Sequence, residues 1–226
     1  MLGKTIKIFL LLIGVYLEFA TCYSAYQDAL IIREYKRQLR RNATLSAPDL
    51  DHVKIARNLV HQANWASVGT ISTHSAVKDY PMVNIISIND NDAFGQSTGR
   101  IRFLLTDLDF TGPDWQHNNK ATFLFTDEQL MHCSKRPWPD NNSPIDPMEP
   151  TCARAIISGQ VVKMDKSSND YDGALVAFVE RHPAAKNWLK AHSFYLCELN
   201  ITNIFVLDYY GGPHTVNITD YYNTKP

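Results

Sequence analysis

Residues 200–213 read NITNIFVLDYYGGP, and this stretch decides how the rest of the chain must fold. It opens with the glycosylation sequon Asn200-Ile201-Thr202, which marks a chain that meets the secretory pathway. The unbroken apolar run 204–207 that follows is typical of a strand covered on both faces. A glycan cannot enter a core, so we expect Asn200 to lie where the strand leaves its cover. The remaining chain has to supply the sheet around this strand.

The composition is that of an ordinary globular protein and points to no charged partner. The 226 residues are 45% hydrophobic and 20% charged, with a formal net charge of −1. A single main domain fits this length. A nearly neutral chain offers no electrostatic reason to bind nucleic acid or an anionic membrane, and we therefore expect no nucleic-acid partner.

The N-terminus has the order of a secretory signal peptide. Lys4 and Lys7 precede the apolar run 8–17, and the small residues Ala20 and Cys22 follow it. We predict a signal peptide over residues 1–22. The run is well short of the ~20 residues needed to span a bilayer, so we expect no stable membrane insertion after cleavage.

A basic segment separates the signal from the folded domain. Residues 33–41 read REYKRQLRR and lead directly into a second sequon at Asn42. Sugar at Asn42 implies exposure, so we predict that residues 23–47 form an exposed basic linker. Cleavage at its basic pairs, as in a propeptide, stays open as an alternative.

Three cysteines remain after the signal, an odd number in an oxidising compartment. Cys133 and Cys152 flank a segment rich in proline and asparagine, and we predict that they form a disulfide. Cys197 lies within an apolar strand, which favours a buried free thiol. A zinc site built from His132, Cys133 and Cys152 would lack a fourth ligand at any usual spacing.

The pattern of apolar residues predicts about seven strands and two principal helices. One helix begins at Pro48, with Leu50, Val53, Ala56 and Val60 on one face. No strand-helix-strand unit repeats, which favours an antiparallel, largely closed sheet. The predicted strands are 66–73, 82–89, 101–106, 121–126, 153–164 (with Gly159 at a bulge), 194–199 and 204–209, and the second helix is 169–182.

No catalytic motif stands out. The histidines are scattered singly, which is more typical of structural residues than of a catalytic site, and His52 fits a solvated helix face. Asp107 and Asp109 flank a leucine near a strand end, where paired carboxylates could exchange protons. Turn capping is the commoner use of aspartate at such positions.

Several motifs together resemble the CREG family, the secreted "cellular repressor" glycoproteins. They cover roughly residue 48 to the C-terminus, and the last of them is long and specific. They are WASVGTIST at 65–73, NKAT at 119–122, the pair Cys133 and Cys152, ISGQV at 157–161, RHP at 181–183 and LNITNIFVLDYYGGP at 199–213. The basic stretch before Asn42 has no counterpart in the family.

The resemblance implies an α+β fold rich in strands, the split β-barrel of the FMN-binding pyridoxine-phosphate-oxidase type, antiparallel with a few flanking helices. In this family the cofactor groove is filled by the protein's own loop, and no enzymatic activity is attached to it. Arg100 and Arg102 are the only close pair of cations suited to a flavin phosphate, a weak site. We therefore expect no cofactor, with an FMN-dependent oxidoreductase as the alternative.

The resemblance further implies a homodimer with N-linked glycans, located outside the cell and in endosomes and lysosomes, that meets a glycan-recognising sorting receptor. It also implies an influence on growth and differentiation. Sequons stand at Asn42, Asn200 and Asn217, while the one at Asn141 is disfavoured by Pro144 after it. We predict that the loop between Cys133 and Cys152, with Pro137, Trp138, Pro139 and Pro144, fills the groove.

Overall fold

The computed structural model describes residues 50–136 and 144–226, together with Leu30 and Arg33. The chain divides into two compact units, Met1–Pro48 and Asp49–Pro226, and the second contains the barrel. The predicted signal peptide, most of the basic linker, Asn42 and Asn141 lie outside the described residues.

Six antiparallel strands close into a barrel, as the sequence predicts. Their order is β3-β2-β1-β4-β5-β6, β3 pairs with β6 to close the ring, and a short seventh strand adds to β6. The strands are β1 (Trp65–Ile71), β2 (Pro81–Asn91), β3 (Ser97–Leu105), β4 (Lys120–Thr126), β5 (Arg154–Lys163), β6 (Tyr195–Leu207) and β7 (His214–Thr215).

Five helices lie among the described residues, of which only two are longer than two turns. They are α1 (His52–Gln62), α2 (Thr111–His117), α3 (Tyr171–Arg181), α4 (Ala185–Ala191) and α5 (Ile218–Asn223). The sequence predicts α1 and α3 but not the other three, whose six or seven residues are too few to show a helical period. Within the described part of the chain, no helix has the length and apolar character to cross a bilayer.

Helix α1 contributes to the barrel core as predicted, but it begins at His52 and not at Pro48, so Leu50 lies before it. The Asp51 side chain accepts a hydrogen bond from the Lys54 backbone N–H at 2.9 Å, which caps the first turn. Ala56, Leu59 and Val60 are buried against the sheet, in one cluster with the inward side chains of the strands. A second cluster, around Phe178 of α3, covers part of the outer side of the sheet.

Strand β6 is longer than predicted, because the two segments 194–199 and 204–209 are one strand of 13 residues. The polar residues Asn200 and Thr202 look like a break in the sequence. They are exposed on the outer side, Ile201 between them is buried, and the strand continues through a bulge where Ile201 and Asn203 pair with the consecutive residues Gly159 and Ser158. The predicted irregularity at Gly159 is confirmed, since the β5–β6 register shifts between Ser158 and Gly159.

Candidate functional site

Two arginines and two carboxylates form an ion cluster on the outer side of the barrel. Arg100 and Arg102 alternate along β3, and Arg102 is the register partner of Glu198 on β6. Glu198 accepts from Arg100 Nε at 2.8 Å and from Arg102 Nε at 3.1 Å. Asp170, at the start of α3, accepts from Nη2 of Arg102 at 2.5 Å and from Nη1 of Arg100.

The charges within the cluster balance one another. Arg102 is only 1% exposed, and its charge is matched together with that of Arg100 by Glu198 and Asp170. Burial lowers the pKa of the Arg100 guanidinium, but the hydrogen bond and charge of Glu198, with those of Asp170, outweigh it and raise the pKa overall. One donor, Nη1 of Arg102, is buried without a partner among the described residues. Arg102 therefore offers an incoming phosphate a single unpaired nitrogen.

A second outer region is apolar and exposed, and we call it the apolar sheet face: Val83, Ile85, Leu124, Ile156 and Phe205. Strand register puts four of them in one row across the sheet. Ile85 and Leu124 both pair with Ser67, Leu124 pairs with Ile156, and Ile156 pairs with Phe205. Val83 is 68% and Ile85 64% exposed, and the other three are more than a third exposed. Contiguous apolar exposure of this kind marks interaction sites.

The apolar sheet face bears on the prediction that residues 204–207 are covered on both faces, the second face by a helix or by the partner subunit. Ile204 and Val206 are fully buried, but Phe205 is exposed within the single chain. The physical reason is strand alternation, which turns every second residue of the apolar run outward. Within the described part of the chain, only one side of this strand is covered.

Two of the predicted sequons fall on described, exposed residues. Asn200 lies near the middle of β6, on its outer side and beside the bulge at Gly159, rather than at the end of the strand. Asn217 precedes α5, and its side-chain oxygen accepts from the backbone N–H groups of Thr219 and Asp220. That cap uses the amide oxygen, whereas an N-linked glycan is attached to the amide nitrogen.

Cys133 and Cys152 form a disulfide, and both are fully buried beside Ile145. Their sulfurs are therefore not available as thiolate ligands for a zinc site with His132. Of the predicted groove-filling residues, Pro144 is exposed, while Pro137, Trp138 and Pro139 lie outside the described residues.

The surroundings of Cys197 and of the pair Asp107 and Asp109 fit structural roles. Cys197 is a free thiol in the barrel core, where burial raises its pKa to about 12. Asp107 accepts hydrogen bonds from Gln116 and from the Tyr195 hydroxyl. Asp109 accepts from the backbone N–H of the next residue, Phe110, as expected for a turn-capping residue.

One group of side chains escapes the sequence analysis. His52, Asp208 and His214 come together at one end of β6, with potential ligand atoms that all lie within 4.8 Å of one another. His52 and Asp208 are 156 residues apart in sequence. No local spacing could have signalled the group, because it depends on where α1 meets the end of the sheet.

Comparison with known proteins gives a consistent family. A family model described as "CREG, beta-barrel" matches residues 47–223. The chain is 35% identical over 176 residues to Protein CREG1 of Mus musculus and equally to that of Homo sapiens, covering 78% of this chain and 76% of each relative. Protein CREG2 of Homo sapiens is 26% identical, over 81% of this chain and 60% of its own length.

Solved structures show the same barrel at much lower sequence identity. The heme binding protein from Mycobacterium smegmatis aligns with a TM-score of 0.58 and 14% identity, over 78% of this chain and 62% of the other. ChuZ of Campylobacter jejuni aligns with a TM-score of 0.58 and 10% identity, over 84% of this chain and 68% of the other. At these identities the likeness shows the fold alone.

Proposed function

Because the chain belongs to the CREG family, we propose that it is a secreted and endolysosomal N-glycosylated homodimer without catalytic activity. It acts through protein contacts and through a receptor that recognises its glycans, in growth, differentiation or lysosomal function. The observation that carries the absence of flavin chemistry is the closed ion cluster. The two arginines suited to a flavin phosphate already have carboxylate partners.

The energetics favour keeping the cluster closed. For an anion to bind Arg100 and Arg102, it would have to displace Glu198 and Asp170 from hydrogen bonds of 3.1 Å or less. A hydrogen bond to a charged group contributes about 1.5–3 kcal/mol where water is kept away, which applies to the half-buried Glu198, whereas the bonds of Asp170, which is 43% exposed, contribute less. Flavin binding at this place would have to offset the loss of these bonds first.

The apolar sheet face supports a homodimer. It gathers side chains from β2, β4, β5 and β6, and nothing in the described part of the chain covers it. Two copies related by a two-fold axis would each bury the same face, the commonest arrangement of soluble oligomers. The partner would then supply the second cover that residues 204–207 lack in the single chain.

The positions of Asn200 and Asn217 support glycan-based recognition. Both side chains are exposed. Asn200 is separated along β6 from the apolar sheet face, so a glycan there leaves that face open to a partner. Such glycans, together with the predicted signal peptide, make delivery through a glycan-recognising sorting receptor the expected route.

The proposed absence of bound flavin can be tested directly. Protein expressed with its N-terminal leader in a eukaryotic secretory host is purified, its visible absorption is recorded, and it is titrated with FMN. We expect a colourless protein that takes up no FMN. A Glu198→Gln variant should also take up none if the remaining carboxylate, Asp170, suffices to hold both arginines. Wild-type protein carrying about one flavin per chain would overturn the proposal in favour of an FMN-dependent oxidoreductase.

The cellular location and the glycans of the protein are tested with the same preparation. We expect the protein in the medium and in endolysosomal compartments, and we expect peptide-N-glycosidase to lower its mass. Asn200→Gln and Asn217→Gln should each remove one glycan. Protein that stays in the cytosol, or whose mass does not change on deglycosylation, would contradict this part of the proposal.

A further inference from the structure

His52, Asp208 and His214 converge from three different elements. His52 is the first residue of α1, Asp208 follows the last residue of β6, and His214 is in β7. The chain reverses between β6 and β7 at Gly211 and Gly212, both of which have a positive φ that favours glycine. The antiparallel pairing of Val206 with His214 then brings His214 back beside the end of β6.

The geometry brings nitrogen and oxygen donors close to each other. Nδ1 of His52 lies 2.7 Å from Oδ2 of Asp208. The two imidazole rings are stacked, with centroids 3.8 Å apart and an interplanar angle of 12°. One donor atom from each of the three residues fits within a span of 4.8 Å. Donor atoms bound to one zinc ion, each about 2.0–2.2 Å from it, lie about 3.3–3.6 Å from one another. To bind the ion, the three side chains therefore have to close by about 1 Å, the two imidazole rings have to turn out of their stack, and the ion replaces the hydrogen bond between His52 and Asp208.

Asp208 gives an independent sign that a partner is missing. Its side chain is only 2% exposed. Oδ2 is bonded to His52, but Oδ1 is buried and has no hydrogen-bond partner among the described residues. An unsatisfied buried carboxylate oxygen is costly. A cation bound beside Asp208 would satisfy that oxygen.

We propose that His52, Asp208 and His214 form a binding site for one divalent transition-metal ion of the zinc class. Two imidazoles and one carboxylate are the donor set that zinc prefers, whereas calcium and magnesium require more oxygen ligands. Three protein ligands leave one position open for water or an external ligand. The site is independent of the ion cluster and of the apolar sheet face.

Such an ion would tie α1 to the end of the sheet. His52 starts the helix that packs on the barrel core, and Asp208 and His214 hold the β6–β7 turn. An ion that binds only the folded chain raises the free energy of unfolding according to its concentration and dissociation constant. The second group of possible ligands, Glu128 with Cys133 and Cys152, does not compete, because its two sulfurs form the disulfide.

The test uses the glycosylated full-length protein with any purification tag removed, dialysed against a chelator. Zn²⁺ binding is followed by calorimetry, and Co²⁺ binding by visible absorption, which reports the coordination geometry. We expect one Zn²⁺ per chain. At a Zn²⁺ concentration 100 times the dissociation constant, the melting temperature should rise by roughly 5–10 °C.

The variant His214→Ala removes one ligand outside the core and should weaken Zn²⁺ binding at least about tenfold. Asp208→Asn, which keeps the shape of the side chain, should weaken it as well and abolish the Co²⁺ spectrum. The matched control is His132→Ala, because His132 also hydrogen-bonds an aspartate, at 2.8 Å, but has no third ligand in the site.

His132→Ala should bind Zn²⁺ as the wild type does. If wild-type protein takes up no Zn²⁺, or if His214→Ala binds it as tightly as the wild type, the site does not exist. Flavin binding and oligomeric state are measured separately, so failure of the metal site leaves the proposed function standing.

Discussion

Replacing Ile85 by aspartate should break the proposed homodimer. Ile85 is 64% exposed in the single chain and lies at the β2 end of the apolar sheet face. Fully burying an isoleucine contributes about 1.5–3 kcal/mol, so covering the exposed part contributes about 1–2 kcal/mol. A two-fold interface buries the residue twice, which gives about 2–4 kcal/mol. Each 1.4 kcal/mol is tenfold, so the dissociation constant should rise about 30- to 800-fold.

The aspartate carboxylate adds a further cost, because it would be buried without a partner in the dimer. The assay is sedimentation equilibrium over a concentration series, with circular dichroism to check that each variant is folded. The matched control is Val176→Asp, since Val176 is 51% exposed but lies on α3 and not on the sheet face. Its association should equal that of the wild type. The reasoning is refuted if Ile85→Asp associates as tightly as the wild type, or if the wild type itself is a monomer.

Three further predictions concern the barrel itself. Gly159→Val should lower the melting temperature by several degrees, because a Cβ there would lie 2.3 Å from the Asn200 backbone oxygen; Gly69→Ala, with 3.7 Å to its nearest neighbour, should be tolerated. Cys197, with its pKa raised to about 12, should react with a thiol reagent at pH 8 roughly a thousandfold more slowly than a free cysteine. Once urea unfolds the chain, it should react at the rate of a free cysteine. Fast labelling of the native protein would contradict this. Burial lowers the pKa of His182 below its usual 6.5, so as the pH falls the unfolded chain takes up a proton on this histidine before the folded chain does. The free energy of unfolding that is present above this pH should therefore decrease at lower pH. The urea midpoint should therefore drop more between pH 7.5 and 5.5 in wild type than in His182→Gln, and an equal drop would count against this cause.

The barrel could be predicted from the sequence because its signals are local. Strand alternation and the turn clusters between strands mark β1 to β5 within a few residues of their true bounds. The error at β6 has a physical cause. The polar residues Asn200 and Thr202 occupy outward positions of a continuous strand, and a sequence pattern does not separate an outward polar residue from a break.

The features on the outside of the barrel could be predicted less well, because they depend on contacts between distant residues. The sequence marks Arg100 and Arg102 as a possible phosphate site, but their carboxylate partners Glu198 and Asp170 are about 70 to 100 residues away. The exposure of Phe205 likewise follows from which side of the closed sheet the helices cover. Pairings of this kind require the fold to be known first.

Strand β6 carries three chemically different regions on its outer side, in a fixed order. Glu198 belongs to the ion cluster, Asn200 is the exposed sequon residue, and Phe205 belongs to the apolar sheet face. The bulge opposite Gly159 lies between the first two and the third. A bulge increases the local twist and bend of a strand, so a glycan on Asn200 and a partner bound over Phe205 leave the barrel in different directions. In the proposed function, one strand therefore balances the arginines of the ion cluster, carries a sugar and presents a dimer surface, because each use takes a different stretch of the same outward face.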